Sequence, residues 1–398
     1  MEKEEYGKFT YILLDDGTYE ARIVKYAKTV MVPDSYCGKA VTAVSASPNA
    51  EEPYLLKDVL IPEGIERIGR RAFYKCFSLH AVVLPSSLKL VEIDAFSLMG
   101  SVEEVYVFDL SSYLSIDFEC ASANPLRAGS KLYIGNENFS FVRLKIPDDV
   151  SRIGTYALSG RKDMVSVTIP ESVEYIGEGA FDGCRKLIEI INLSTVDLTG
   201  REDVAKVLNI TDSGDGSRLT CIDNGFVFYS SDGEDFLVGY EGSESDIVLP
   251  DDFFGRSYSV YNHAFEHYDP LMSLTVGRRV NKICDRAFSG CYGLGEIIFP
   301  KDGELIEIGE SAFTCDEWLG DTTLPDGLVK LAPLAFAYCS LLNRMYIPKS
   351  VKEVAFNTFE GCRNLNLFLE AEQAPEGFER NWDACAYTVT FGANPSDP

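Results

Sequence analysis

Apolar residues in this chain recur in a frame that neither one long helix nor one long strand explains. In Leu79-His80-Ala81-Val82-Val83-Leu84 the core-type positions fall at offsets 0, 3 and 5. Such a segment is a short strand whose last residues alternate between the two faces of a pleated sheet. Pro85 follows, and its missing N–H ends the ladder. Upstream, Gly69-x-x-Ala72-Phe73-x-x-Cys76 has three-to-four spacing. That spacing predicts one or two turns of helix with Ala, Phe and Cys facing inward.

The same frame returns along the chain. Ala-Phe stands at Ala72, Ala95, Ala180, Ala264, Ala287, Ala312 and Ala335, with Ala157-Leu158 and Thr358-Phe359 as variants. Successive units are 23 residues apart, as from Ala72 to Ala95 and from Ala312 to Ala335, with one interval of 25 between Ala287 and Ala312. Ten residues before the alanine stands a proline in six units: Pro62, Pro85, Pro147, Pro170, Pro325 and Pro348. Seven after it stands an apolar residue, and four after it a cysteine at Cys76, Cys184, Cys291, Cys339 and Cys362. A period of about 20–29 residues is that of leucine-rich repeats, whose units bury their apolar faces only by stacking.

Segments such as Ile61–Pro85, Ile169–Leu187 and Leu324–Pro348 resemble the BspA-type, or Treponema-type, leucine-rich repeat. Ala123-Asn124-Pro125-Leu126 and Leu132-Tyr133-Ile134-Gly135 resemble segments interleaved in BspA-like proteins. The fold expected is an α/β solenoid, a leucine-rich-repeat horseshoe with a long parallel concave sheet and short helical turns on the convex side. Thirteen strands should start near Ala27, Leu56, Leu79, Val102, Phe141, Met164, Leu187, Glu244, Leu271, Leu294, Leu319, Leu342 and Leu365. At ~4.8 Å per strand the sheet would run roughly 60 Å.

The organisation expected is one solenoid over residues 1–398: an N-terminal hairpin cap at 1–33, repeats at 34–370 and a C-terminal cap at 371–398. The two long gaps between units place insertions near 109–140 and 194–243. The cap is read from Phe9 to Leu13, a turn at Asp16-Gly17, and Tyr19 to Ile23. A similar hairpin signature runs from Phe226 through Asp232-Gly233 to Val238.

Composition narrows the function. At 398 residues the chain exceeds the ceiling of about 250–300 for one globular core, and a lengthwise repeat resolves this. Its net charge of −26 repels a phosphate backbone and an anionic membrane surface, so no nucleic acid is expected as partner. No segment approaches the ~18–20 apolar residues of a membrane span, and Met1-Glu2-Lys3-Glu4-Glu5 is too charged for a signal peptide. Eleven cysteines, an odd number in a long chain, do not read as a disulfide framework.

His263-Ala264-Phe265-Glu266-His267 matches the inverted zinc-protease pattern. Yet Ala264-Phe265 is the repeat's own core dipeptide, and the slots of both histidines vary freely between units, so the match is read as coincidence. His80 has no paired nucleophile to make a triad. The cysteine slot also accepts Arg161, Tyr268 and Asp316, which argues for free thiols acting as small buried hydrophobes. Cys339 and Cys362 fall in adjacent units, within reach of each other on oxidation. Asp212–Ser217 is the nearest approach to a calcium loop, but turn chemistry accounts for it. No catalytic residue, cofactor or metal is called for.

The outward strand positions are the better candidates for function. Tyr106, Glu104, Glu189, Ile191, Glu296, Asp321, Arg344 and Tyr346 are expected to face a partner. The resemblance implies a non-enzymatic, cell-surface or secreted bacterial module that binds an extracellular-matrix or host protein, or a glycan. The alternative is an assembly scaffold, which the missing leader would allow inside the cell.

Overall fold

Within each unit, three rows of hydrogen bonds tie neighbouring coils together. The computed structural model describes residues 7–98, 102–126, 130–205, 207, 209–212, 218–222, 224–231, 233–383 and 385–394. The chain falls into two compact units, Met1–Gly216 and Ser217–Pro398.

In the first unit, Thr29–Met31, Asp58–Leu60, Ala81–Val83, Glu104–Val107 and Lys131–Ile134 pair in parallel as a first ladder. Their central residues Val30, Val59, Val82, Val105 and Leu132 form one buried column, because alternation turns every second side chain inward. Glu137–Phe139 returns antiparallel and closes this sheet. A separate four-stranded parallel sheet follows: Arg143–Lys145, Ser166–Ile169, Glu189–Asn192 and Asn209–Thr211.

A second ladder runs on another side of the coils and was not anticipated. It starts from the antiparallel hairpin Lys8–Leu13 and Tyr19–Lys25, and continues in parallel through Lys39–Glu51, Arg67–Ile68, Leu90–Val91 and Asp117–Phe118. Its inward column is Val44, Ile68, Val91 and Phe118.

The second unit repeats this plan. Phe226–Ser231 and Glu234–Tyr240 form an antiparallel hairpin. Its second strand leads a parallel ladder of Tyr258–Val260, Val280–Ile283, Glu307–Ile308, Lys330–Leu331, Glu353–Val354 and Gly377–Phe378. The other ladder is divided: Asp246–Val248, Ser273–Thr275 and Glu296–Ile298 form one sheet, and Thr322–Thr323, Arg344–Ile347, Asn366–Leu369 and Thr388–Phe391 form another. The division falls between Ile298 and Thr322, on the coil lengthened by two residues, while the ladder from Val280–Ile283 to Glu307–Ile308 continues across it. The expected single long sheet is therefore several shorter ones.

All thirteen expected strands are present, each beginning one to three residues after its expected start. The helical turns are not. The one α-helix among the described residues is Leu110–Leu114, whose cap Asp109 accepts from the Ser112 N–H. Over the Ala-Phe segments the chain instead makes successive tight turns. The residue before the alanine and the third residue after it hold left-handed φ angles: Arg71 58° and Lys75 63°, His263 61° and His267 56°, Leu334 58° and Tyr338 61°. Two such residues four apart forbid a right-handed helix. The amides that a helix would use internally go sideways. Phe73 N–H donates to Ala95 O at 2.8 Å, Phe313 to Ala335 O at 2.8 Å and Phe336 to Thr358 O at 2.9 Å. These bonds are the third row.

The rings beneath this row stack in file. Phe265, Phe288, Phe313, Phe336 and Phe359 lie with successive centroids 5.0, 5.4, 5.2 and 6.3 Å apart. Stretch 109–140 carries Asp117–Phe118 in one ladder and Lys131–Ile134 in the other. Within stretch 194–243, Asn209–Thr211 extends a first-ladder sheet.

Candidate interaction face

The outward residues of the first unit's first ladder lie in two columns, in register. One is Thr29, Asp58, Ala81, Glu104 and Lys131; the other is Met31, Leu60, Val83, Tyr106 and Tyr133. The second column is apolar along its length, and Met31, Leu60 and Val83 are 46, 40 and 38% exposed. Four ladder steps of ~4.8 Å make a stripe roughly 19 Å long. Tyr106 and Tyr133 stack with centroids 4.9 Å apart, which stiffens that end. The Tyr106 hydroxyl donates to Glu104 Oε2 at 2.7 Å, and this bond to a carboxylate pushes its pKa up to about 12. Glu104 therefore anchors the tyrosine rather than standing free for a ligand.

The other expected contact residues are dispersed. Glu189, at 0% exposure, is buried, and Ile191 is half-buried beside it on the four-stranded sheet of the first unit. An outward position is thus not always a solvent position. In the second unit Glu296 is exposed on the three-stranded sheet, and Asp321 is exposed just before Thr322–Thr323. Arg344 lies over the Phe368 ring at 4.7 Å, and Tyr346, at 7% exposure, is nearly covered. Met31, Leu60 and Tyr133 had not been singled out. The first two follow from the same offset rule, whereas Tyr133 was hidden in a stretch read as an insertion.

The zinc-like pattern resolves into turn geometry. His263 Nδ1 lies 3.1 Å from Glu266 Oε2 in its own turn. His267 packs its ring over Gly290 and near Tyr292. With both histidines left-handed there is no helix to align them. No group of three or more His, Cys, Asp or Glu side chains arranged for a metal ion occurs among the described residues. Of the loop Asp212–Ser217, only Asp212 is among them.

The described cysteines are free thiols, Cys339 and Cys362 included. Cys184, Cys291, Cys339 and Cys362 donate S–H to the carbonyls of Leu158, Phe265, Phe313 and Phe336 in the preceding coil, at 3.0–3.2 Å. Burial pushes the Cys76 and Cys184 thiols up to about 12, so they stay protonated and unreactive.

Stacked coils of 23 residues, each adding a short parallel strand to a common ladder, define a leucine-rich-repeat solenoid. The model of the BspA type leucine rich repeat region matches residues 52–144, 133–222 and 258–372, in six copies. The chain belongs to that family. No curated protein matches it. Among solved structures it is similar to a leucine rich cell surface protein from Faecalibacterium prausnitzii, at 22% identity over 100% of this chain and 95% of that one, with a TM-score of 0.40. It is also similar to the pneumococcal vaccine antigen PcpA, at 14% identity over 99% and 98%, with a TM-score of 0.41. A leucine-rich repeat protein from Eubacterium ventriosum matches at 14% identity over 99% and 95%, with a TM-score of 0.39. These superpositions are loose, and the repeat assignment rests on the family match and on the ladder register. No helix among the described residues is long and apolar enough to cross a membrane.

Proposed function

We propose that this protein is a non-enzymatic binding module of a bacterial cell-surface or secreted protein, and that it engages a host or extracellular-matrix protein through its first-ladder face. The observation that carries the reading is the column of exposed Met31, Leu60 and Val83 continued by the half-buried Tyr106 and Tyr133. Apolar side chains held in register on a rigid sheet are suited to a protein partner, because burying them on binding releases water without ordering the chain. The stacked tyrosines supply the aromatic anchors that dominate such contacts. Family membership supports a binding role, since repeat solenoids expose extended surfaces.

The test is binding of the full chain to immobilised matrix proteins, mucins and glycans at physiological salt. A Leu60→Ser/Tyr106→Ala/Tyr133→Ala variant, checked for an unchanged circular dichroism spectrum, runs beside it. Saturable binding to a matrix protein that weakens at least about thirtyfold in the variant is expected, the loss of one hot-spot cluster. Binding to glycan alone, or binding unaffected by the variant, would overturn the site. No binding to any ligand would favour an assembly scaffold.

A further inference from the structure

The cysteine column of the second unit departs from cysteine at Tyr268 and Asp316, and only Asp316 puts a carboxyl there. Asp316 occupies, in its own coil, the slot that Cys291 fills one coil before and Cys339 one coil after. It is 0% exposed. Its Oδ1 accepts the Cys291 N–H at 2.9 Å, while Oδ2 is buried with no hydrogen-bond partner. The titratable groups facing it are Cys315 and Glu317 on its own turn, Tyr292 and Cys291 on the preceding coil and Cys339 on the following one. No lysine, arginine or histidine forms an ion pair with it among the described residues. His267 packs over Gly290 with its ring 6.0 Å from that of Tyr292, and it forms no ion pair with Asp316.

A carboxylate sealed in this position would be an uncompensated buried charge, which proteins avoid by keeping the acid protonated. The neighbouring slots show what a proton would do there. Cys291 and Cys339 each donate to the phenylalanine carbonyl of the preceding coil at 3.2 Å. The corresponding carbonyl for Asp316 is that of Phe288.

We propose that Asp316 is carried as the neutral acid, with its Oδ2–H standing in for the cysteine S–H, so that this coil of the second unit has a proton-dependent contact that weakens as the pH rises. Burial acts in the same direction, raising the acid well above its ordinary value of 3.8. The unfolded chain ionises near that ordinary value, whereas the folded coil holds its proton to higher pH. The stabilising contact is therefore complete below about 3.8 and is lost as the pH rises toward the folded value. Each unit of separation multiplies the unfolding constant about tenfold.

Both tryptophans, Trp318 and Trp382, lie in the second unit, so their fluorescence follows its unfolding in the intact chain. Urea unfolding of the wild type, Asp316→Cys and Asp316→Asn would be compared at about pH 4 and about pH 8. The wild-type unfolding constant, relative to each variant, is expected to rise at least about tenfold between the two. A ratio equal at both pH values for both variants overturns the proposal. If neither variant folds, the carboxyl ¹³C shift of Asp316 in the wild type at about pH 6 decides it. A protonated shift supports the proposal and an ionised one overturns it.

Discussion

The Cys362 thiol donates to the Phe336 carbonyl 3.0 Å away, 26 residues back in the chain and one coil back in the structure. The cysteine of the repeat is thus a lateral donor as well as a core filler. Its sulfur is fully buried. Cys362→Ala is expected to cost about 1–3 kcal/mol, from the lost donor and the small void together. Cys362→Ser, which keeps a donor, should cost less. Urea unfolding read by tryptophan fluorescence measures both, and a serine variant weaker than the alanine one would contradict the lateral-bond role.

The left-handed turn residues make an opposite pair of predictions. Lys75 is exposed and pays for φ 63° with its side chain, so Lys75→Gly should stabilise by about 0.5–1 kcal/mol. Gly361 has φ 78°, and an added Cβ would sit 2.5 Å from the Tyr338 ring. Gly361→Ala should therefore destabilise by at least about 1–2 kcal/mol. Thermal midpoints of the two variants must move in opposite directions.

Phe313 sits between Phe288 and Phe336, its ring nearly parallel to both at 2° and 11°. It is fully buried, and no polar atom compensates for its loss. Phe313→Ala is expected to cost about 3–5 kcal/mol. A loss below about 1 kcal/mol in denaturant unfolding would mean that the stack is not a principal source of cohesion.

Glu20 predicts acid sensitivity in the first unit. Burial opposes its ionisation, but the Ser45 hydroxyl and the Arg67 and Arg22 guanidiniums outweigh that and hold its carboxyl below the ordinary 4.5. A depressed folded value gives stability that is present above 4.5 and lost as the pH falls through the folded value. The stability gap between wild type and Glu20→Gln should therefore shrink on acidification. Circular dichroism melts at several pH values test this, and a gap that widens in acid would refute it.

The period, the inward Ala-Phe pair and all thirteen expected strands were legible because each coil buries the same few side chains at the same spacing. Leu79, Val82 and Leu84 carry that signal whatever the neighbouring coils do. The second ladder was not legible, since a strand as short as Arg67–Ile68 has no periodicity to detect. Nor were the turns, whose three-to-four spacing imitates a helix. Glycine marks the left-handed positions at Gly160, Gly179, Gly183, Gly290 and Gly361, but Arg71, Asp94 and Leu334 take the same φ without it.

For the proposed face, the offset rule pointed at Glu104 and Tyr106, which are half-buried, and equally at Glu189, which lies buried. By itself, then, the sequence determined the repeat and which side chains turn inward, because burial within one coil is a local matter. Tertiary structure alone decided the turn conformation, which depends on amides such as that of Phe73 finding Ala95 in the next coil. It also decided which outward residues meet solvent, and that Tyr133 completes the column begun at Met31. Those outcomes depend on what the neighbouring coil places alongside, and no single repeat encodes it.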